Sequence, residues 1–252
     1  MTSAKGLSYL LADVHLHTDS SHPINQAFLQ FIDHQACLAD EVYILGDLFE
    51  AWAGDDLHLT DYQVEIDALR NLTQRGVKLY IAYGNRDFLM RHAFWQASGA
   101  QWINEGHIAH IQGQDYILMH GDSLCTQDKA YQRMRRLFRA KWFQWLFLHL
   151  PQKTRLNIAQ GLRQQSQQAG SQKSYQIMDV ADDAVINVFN QHPQIQHLVH
   201  GHTHRPAHHQ ININGLTKHR WVLGDWRPDT HILKIEHGQP ALMEFKAPGL
   251  VL

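Results

Sequence analysis

Cysteine is too scarce to hold this chain together. Cys37 and Cys125 are the only two in 252 residues, which excludes a disulfide framework and fits a reducing compartment. An excess of one charge is also missing. The formal net charge is −2, so the total gives no basis for binding nucleic acid. No apolar stretch approaches the roughly 20 residues that a membrane-spanning helix needs. Lys5 is the only basic residue near the N-terminus, and the apolar run Leu7 to Ala12 is too short for a secretory signal. The expectation is a cytoplasmic protein. With 44% hydrophobic residues, the chain can form one large domain, or one domain with an insertion.

What is abundant is histidine, with 20 residues. It is the commonest metal ligand, though most histidines in any chain simply face solvent. The stretch Val42-Tyr43-Ile44-Leu45-Gly46-Asp47 shows where to look. A short β-branched apolar run reads as a buried strand. Gly46 permits a tight turn at its carboxyl end, which leaves the Asp47 carboxylate on the sheet rim, where open α/β sheets bind ligands.

The same grammar recurs. Leu7 to Ala12 predicts a strand ending in Asp13-Val14-His15, and alternation along an extended segment would point Asp13 and His15 the same way. Pro23 to His34 predicts an amphipathic helix, with Pro23 as an early residue, and Tyr62 to Arg75 a second, closed by Gly76. Val77 to Tyr83 predicts a strand ending in Gly84-Asn85, followed by a short helix over Phe88 to Ala97. Tyr116 to Met119 leads into His120-Gly121-Asp122. His197 to Val199 leads into His200-Gly201-His202-Thr203-His204, where His202 and His204 again alternate. Strand-like stretches over Ala207 to Asn214, Arg220 to Gly224 and His231 to His237 suggest an antiparallel second half of a two-layered sheet.

Any one of these five turns could be an ordinary strand end. Five in one domain would bury many polar groups, which is costly without a partner to satisfy them. Carboxylate, amide and imidazole ligands without thiolate suit Mn, Fe or Zn rather than a structural zinc site. Seven such side chains exceed what one substrate-accessible ion needs. A bridging carboxylate, most naturally Asp47, would allow two ions roughly 3.5–4 Å apart, a spacing that serves phosphoryl displacement.

The ordered set D-x-H (Asp13, His15), G-D (Asp47), G-N (Asn85), H (His120) and G-H-x-H (His202, His204) resembles the calcineurin-like metallophosphoesterases. The resemblance implies a four-layered α/β/β/α sandwich, one domain over 1–252, with a helical lid at about 123–196. It implies that Asp13, His15 and His204 hold one metal, that Asn85, His120 and His202 hold a second, and that Asp47 bridges them. Water between the ions would attack phosphorus. Gly46 to Trp52 with Gly54-Asp55-Asp56, then Gly84-Asn85-Arg86-Asp87-Phe88, His120-Gly121-Asp122 and Gly201 to Pro206, is similar in particular to the subfamily of bacterial UDP-2,3-diacylglucosamine pyrophosphohydrolases. That subfamily cleaves a lipid-linked UDP-sugar to UMP and the lipid 1-phosphate in lipid A synthesis, with two Mn²⁺. The resemblance implies substrate contacts at Asn85, Arg86, Asp128, Ser166, Lys173 and His202, catalytic roles for Asp47 and Arg86, and peripheral attachment to the cytoplasmic side of the inner membrane. The subfamily often has Asn where this chain has Gly170. No protein partner is indicated.

Many members of the wider family carry His where this chain has Arg86. Arg cannot yield its proton at ordinary pH, but a guanidinium can clamp phosphate oxygens. A phosphate leaving group is a stable anion with a second pKa of about 6, so it needs no acid. The alternative for Arg86 is an ion pair with Asp87. Lys173 could equally be a plain surface charge.

Residues 122–196 are too long and too helical for a loop. Asp128 to Leu150 reads as one basic then apolar helical run, ended by Pro151. Arg133, Arg135, Arg136, Arg139 and Lys141 precede Trp142, Phe143, Trp145 and Phe147. Such a run is either a core helix or an interfacial segment, with cations for headgroups and aromatics for acyl chains. Asn157 to Gly170 predicts a solvated, Gln-rich helix, and Tyr175 to Asn190 another packed on the sheet. Two rival functions remain open: a soluble phosphoesterase of nucleotides or small phosphate esters, and a metal-poor binding module, which would be expected to have lost ligands.

Overall fold

The computed structural model describes residues 6–172, 179–227 and 229–249, with side chains except over 164–172. Strands β1 (Leu7–Leu11), β2 (Glu41–Leu45), β3 (Lys78–Ala82) and β4 (Gln101–Ile103) lie parallel in one sheet. Their connections carry helices α1 (Pro23–His34), α2 (Asp55–Asp61), α3 (Gln63–Gln74) and α4 (His92–Ser98). Strands β10 (Asp229–Glu236) and β11 (Gln239–Lys246) complete that sheet, β10 running antiparallel beside β1. A second sheet has the order β5 (His107–Ile111), β6 (Gln114–Leu118), β7 (His197–His200), β9 (Leu216–Val222), β8 (Ala207–Ile213).

Period-two alternation builds the layers. Tyr9, Leu11, Val42 and Ile44 face α1, α3 and α4. Their neighbours Leu10, Tyr43 and Leu45 face the second sheet, meeting Tyr116, Leu118, Val199 and Trp221. On the far side of that sheet, Ile117 and Leu198 pack against Val185 and Phe189 of α8 (Asp182–Gln191). The result is an α/β/β/α sandwich. The carboxyl ends of β1, β2, β3, β6 and β7 all open onto one rim.

The strand over His231 to His237 belongs to the first sheet rather than the second, because β10 pairs with β1. The short strands β4 and β5 and the eight-residue β11 were not expected. The helix expected over Phe88 to Ala97 is His92–Ser98. The helix expected from Tyr175 begins at Asp182, after a bend at 179–181, and residues 173–178 lie outside the described part.

Between β6 and α8 run α5 (Lys129–Arg139), α6 (Lys141–Leu148) and α7 (Gln152–Gln172). The single run expected over Asp128 to Leu150 is broken at Ala140, whose backbone is extended. The break has a tertiary cause. Gln144 donates to the Phe138 carbonyl at 2.8 Å and accepts from Arg91 at 2.8 Å, so side chains satisfy groups that a continuous helix would pair internally.

The α7 helix is tied down by Arg155, only 2% exposed. Its Nη1 donates to the Ala53 carbonyl at 2.7 Å and to Asp56 at 2.9 Å, and its Nε donates to the Leu150 carbonyl at 3.2 Å. Replacing Arg155 by Met leaves two buried carbonyls without donors. We expect the α6–α7 segment to lose about 2 kcal/mol of local stability, seen as roughly 30-fold faster amide exchange over 152–163. Unchanged exchange there would show that the clamp does not hold this helix.

Candidate metal centre

Five loops meet at the rim, and they do so through unusual backbone. Asp13, His15, Asp47, His202 and His204 all have positive φ, between 51° and 68°. The expected alternation of Asp13 with His15, and of His202 with His204, is therefore not the means by which they converge. β1 ends at Leu11, and these five residues sit in left-handed turns, whereas Asn85 and His120 do not. Asp and His tolerate that region better than most residues. Close approach also demands glycine. A Cβ on Gly84 would overlap Asp47, and one on Gly201 would overlap Asp13 and Ala12.

Two clusters result. Asp13, His15 and His204 bring ligand atoms within 4.8 Å of one another, and so do Asp13, Asp47 and His120. His120 Nδ1 lies 2.9 Å from the Leu45 carbonyl and Nε2 lies 3.0 Å from Asn85 Oδ1. If Nδ1 carries the ring proton, Nε2 and Oδ1 are two acceptors facing each other. Only a second proton or a cation reconciles them. Asp47 Oδ2 is 3.8 Å from the same Nε2, and the His202 ring centroid is 5.0 Å from that of His120. Asp13 Oδ2 accepts from the His202 N–H at 2.7 Å. Asp13 Oδ1 and both nitrogens of His15 are buried without a hydrogen bond. These orphaned atoms, with no thiol among them, fit hard or borderline divalent cations.

Burial dominates the electrostatics. It pushes Asp47 up to about 7 against the attraction of His120, and His202 down to about 4 with help from the His120 charge. Burial opposes ionisation of Asp13 too, but His204, whose Nε2 lies 3.4 Å from Asp13 Oδ1, holds that carboxyl well below its usual range. Burial also disfavours protonated His120 and His204. Asp47 and Asp13 nonetheless raise His120 to about 9, and Asp13 and Asp225 raise His204 to about 10. The carboxylates thus draw protons onto imidazoles at neutral pH, and a bound cation would release them.

Arg86 does not pair with Asp87. Its Nη1 donates to Glu50 Oε1 at 2.5 Å and its Nε lies 3.6 Å from Asp47. Asp87 is buried and accepts the backbone N–H groups of Leu48 and Gly84, each at 2.7 Å. It fastens the Asp47 turn to the Asn85 turn. Asp128 caps α5, accepting from the Tyr131 N–H at 3.1 Å. Ser166 lies on α7 in the part without described side chains, and Lys173 lies outside the described residues.

The sequence reading missed the residues that support the ligands. Glu50 also approaches His15 Nδ1 at 3.5 Å and accepts from Arg163 of α7 at 2.8 Å. One carboxylate thus holds a candidate ligand, Arg86 and the helical segment. Asp225 lies 3.4 Å from His204 Nδ1. Asp122 accepts from Tyr131 Oη at 3.0 Å and from Arg135 Nε at 2.6 Å, and Tyr131 stacks beside His202 at 6.1 Å. Arg139 donates to the Gly84 carbonyl at 2.7 Å. Arg135 and Arg139 therefore face the site, not headgroups. The available signal was position: Glu50, Asp87, Asp122 and Asp225 each follow a ligand turn or a Gly within four residues.

The calcineurin-like phosphoesterase family matches residues 9–206. The UDP-2,3-diacylglucosamine hydrolase of Tolumonas auensis is 44% identical over 227 residues, 90% of this chain and 92% of that protein. Its namesake in Shewanella halifaxensis is 42% identical over 93% of this chain and 96% of that protein. The one from Pseudomonas fluorescens is 42% identical over 96% and 97%.

Glu50→Gln keeps the shape but removes the charge that orients Arg86 and His15. We expect metal affinity or turnover to fall 10- to 100-fold, as is usual when a carboxylate behind a ligand is lost, with the melting temperature little changed. Wild-type turnover and wild-type metal affinity in the pure variant would remove Glu50 from the site.

Proposed function

This chain belongs to the calcineurin-like phosphoesterase family, and from that membership we propose that it hydrolyses the diphosphate of UDP-2,3-diacylglucosamine, releasing UMP and 2,3-diacylglucosamine 1-phosphate. It is a metal-dependent hydrolase. The observation that carries the substrate reading is Arg86, a guanidinium rather than an acid, held beside the ligand cluster by Glu50. Such a group suits a phosphoanhydride, whose leaving group needs no proton.

The acceptors fit two divalent cations, and Mn²⁺ is the pair we assign. Asp13, His15 and His204 would hold one, Asn85, His120 and His202 the other, with Asp47 between. Bound there, the ions would polarise the phosphoryl oxygens and make water a better nucleophile. The chain's own part is to place donors. Arg86, beside the ligand cluster, would donate to the phosphate oxygens and neutralise charge as it develops. Glu50 fixes that guanidinium, and Asp87 and Arg139 hold the Gly84–Asn85 turn in place.

The helical segment supports peripheral attachment to the cytoplasmic face of the inner membrane. Trp142 and Trp145 are 64% and 63% exposed, with Leu146, Met134 and Leu137 also outside. Lys129, Arg133, Arg136 and Lys141 of the same two helices are also exposed. Phe143 and Phe147 are half-buried. Phe143 stacks on Phe138 at 5.3 Å, which stacks on Phe88 at 6.3 Å, and Phe147 packs on the core. Phe143 thus suits an acyl-chain wall better than a membrane contact. No helix among the described residues is long and apolar enough to cross a membrane.

Metal-stripped protein, assayed on UDP-2,3-diacylglucosamine in detergent, should release UMP and the lipid 1-phosphate only when Mn²⁺ is added. Asp47→Ala should abolish this while the protein stays folded. Cleavage of an aryl phosphate but not of the lipid substrate would replace this reading with a small-ester phosphoesterase. Separately, replacing Trp142, Trp145 and Leu146 by Ser should reduce co-sedimentation with anionic vesicles. Undiminished sedimentation would refute the membrane contact.

A further inference from the structure

The loop carrying His202 and His204 is flanked by two cavities of similar size and opposite character. One, of about 240 Å³, is lined by Asp179, Thr203, Arg205, Pro206, His209 and Arg220. The other, of about 270 Å³, takes its polar character from His204, Asp225, Arg227, Asp229 and Glu244. Three carboxylates make the second unwelcoming to an anion. The first has three basic side chains and one carboxylate, Asp179, which is already paired with Arg205 at 2.6 Å.

Within the first cavity one donor is unused. Among the described residues, Arg220 Nε is buried without a hydrogen-bond partner. Burial lowers the pKa of this guanidinium even with Asp179 and Asp182 nearby to support it. His209 sits directly opposite on the neighbouring strand, in register with Arg220, and is exposed. A half-buried cation with a free N–H is costly unless something supplies an acceptor.

The substrate class proposed above has two unlike ends across its diphosphate. The stacked rings Phe88, Phe138 and Phe143 lie on the side of α5, α6 and the Gly84–Asn85 turn. Thr203 stands between the two ligand histidines of the other loop and lines the first cavity. A diphosphate over the ligand cluster, with its acyl end against those rings, directs its other end across Thr203. We propose that the cavity between β8, β9 and the Thr203–Pro206 turn receives the uridine of the substrate, with Arg220 and His209 donating to its carbonyl or ribose oxygens. This inference rests on the UDP-sugar reading.

The test compares wild type with Arg220→Gln and with His209→Asp, which alters an exposed side chain and stands alone if the first variant does not fold. Each is assayed on UDP-2,3-diacylglucosamine and on bis(p-nitrophenyl) phosphate, which has no nucleoside, with UMP as inhibitor. We expect the ratio of kcat/KM for the two substrates to fall about tenfold or more, the loss of one charge-assisted hydrogen bond, mainly through KM. UMP inhibition should weaken in parallel. An unchanged ratio and unchanged UMP inhibition, in a wild type that cleaves the lipid substrate, would overturn the uridine site and leave the function standing. The same shift produced by Glu244→Gln would move the nucleoside to the other cavity and also overturn it. A wild type inert on the lipid substrate would remove both readings.

Discussion

Acceptors crowded together with too few donors are the constraint around which this molecule is organised. Asp13 Oδ1, the His15 nitrogens, His120 Nε2 and Asn85 Oδ1 meet at a largely buried rim. Left alone, such an array is unfavourable, because each buried acceptor without a partner costs about 1–3 kcal/mol. The backbone adds to the cost. Five of the ligand residues hold positive φ, at about 1 kcal/mol or more apiece. A divalent cation reverses the sign of this arrangement, since the same lone pairs become its coordination shell. The cost of gathering these acceptors and the affinity for metal are one property.

The surrounding parts follow from keeping that rim rigid. The two sheets bring strand ends from both layers to one place, but neither sheet alone sets the distances between loops. Buried carboxylates do that. Asp87 accepts from Leu48 and Gly84 and so locks the second and third turns together. Asp13 accepts from His202 and locks the first to the last. Asp122 and Glu50 reach outward to Arg135, Arg139 and Arg163, so α5 and α7 are held by the same acidic interior. Removing one of these carboxylates should disturb several ligands together, because each is shared.

Much of this was legible in the sequence, and the misses have a common cause. Short continuous apolar runs located β1, β2, β3, β6 and β7, and Pro23–His34 agrees at both ends. The Gly-Asp, Gly-Asn and Gly-His turns marked the rim because local chemistry makes them. Glu50 and Asp225 were marked only by lying near such turns, which does not reveal what they touch. Their roles arise from contacts made across the fold, which no local spacing encodes. The break at Ala140 is of the same kind, for no Pro or Gly announces it and Gln144 with Arg91 creates it. The left-handed backbone at the ligands was also invisible, because Asp and His adopt it only when tertiary contacts demand it. β4 and β5 escaped because three to five residues with half-exposed faces give little period to read.

That break at Ala140 has a consequence for the helical segment. A continuous helix would rotate its faces evenly, so an inward arginine on α5 would force the following aromatics onto a face set by the helical period alone. The extended residue frees the second half from the first. Arg135 and Arg139 can then reach Asp122 and Gly84 while Trp142 and Trp145 point away from the protein and Phe143 turns back onto Phe138. Two surfaces of opposite polarity are thereby placed next to each other within some twenty residues. One holds the charged rim and the other presents aromatics outward. A substrate that is ionic at one end and oily at the other requires that juxtaposition, and a purely ionic substrate would give no use to the exposed indoles.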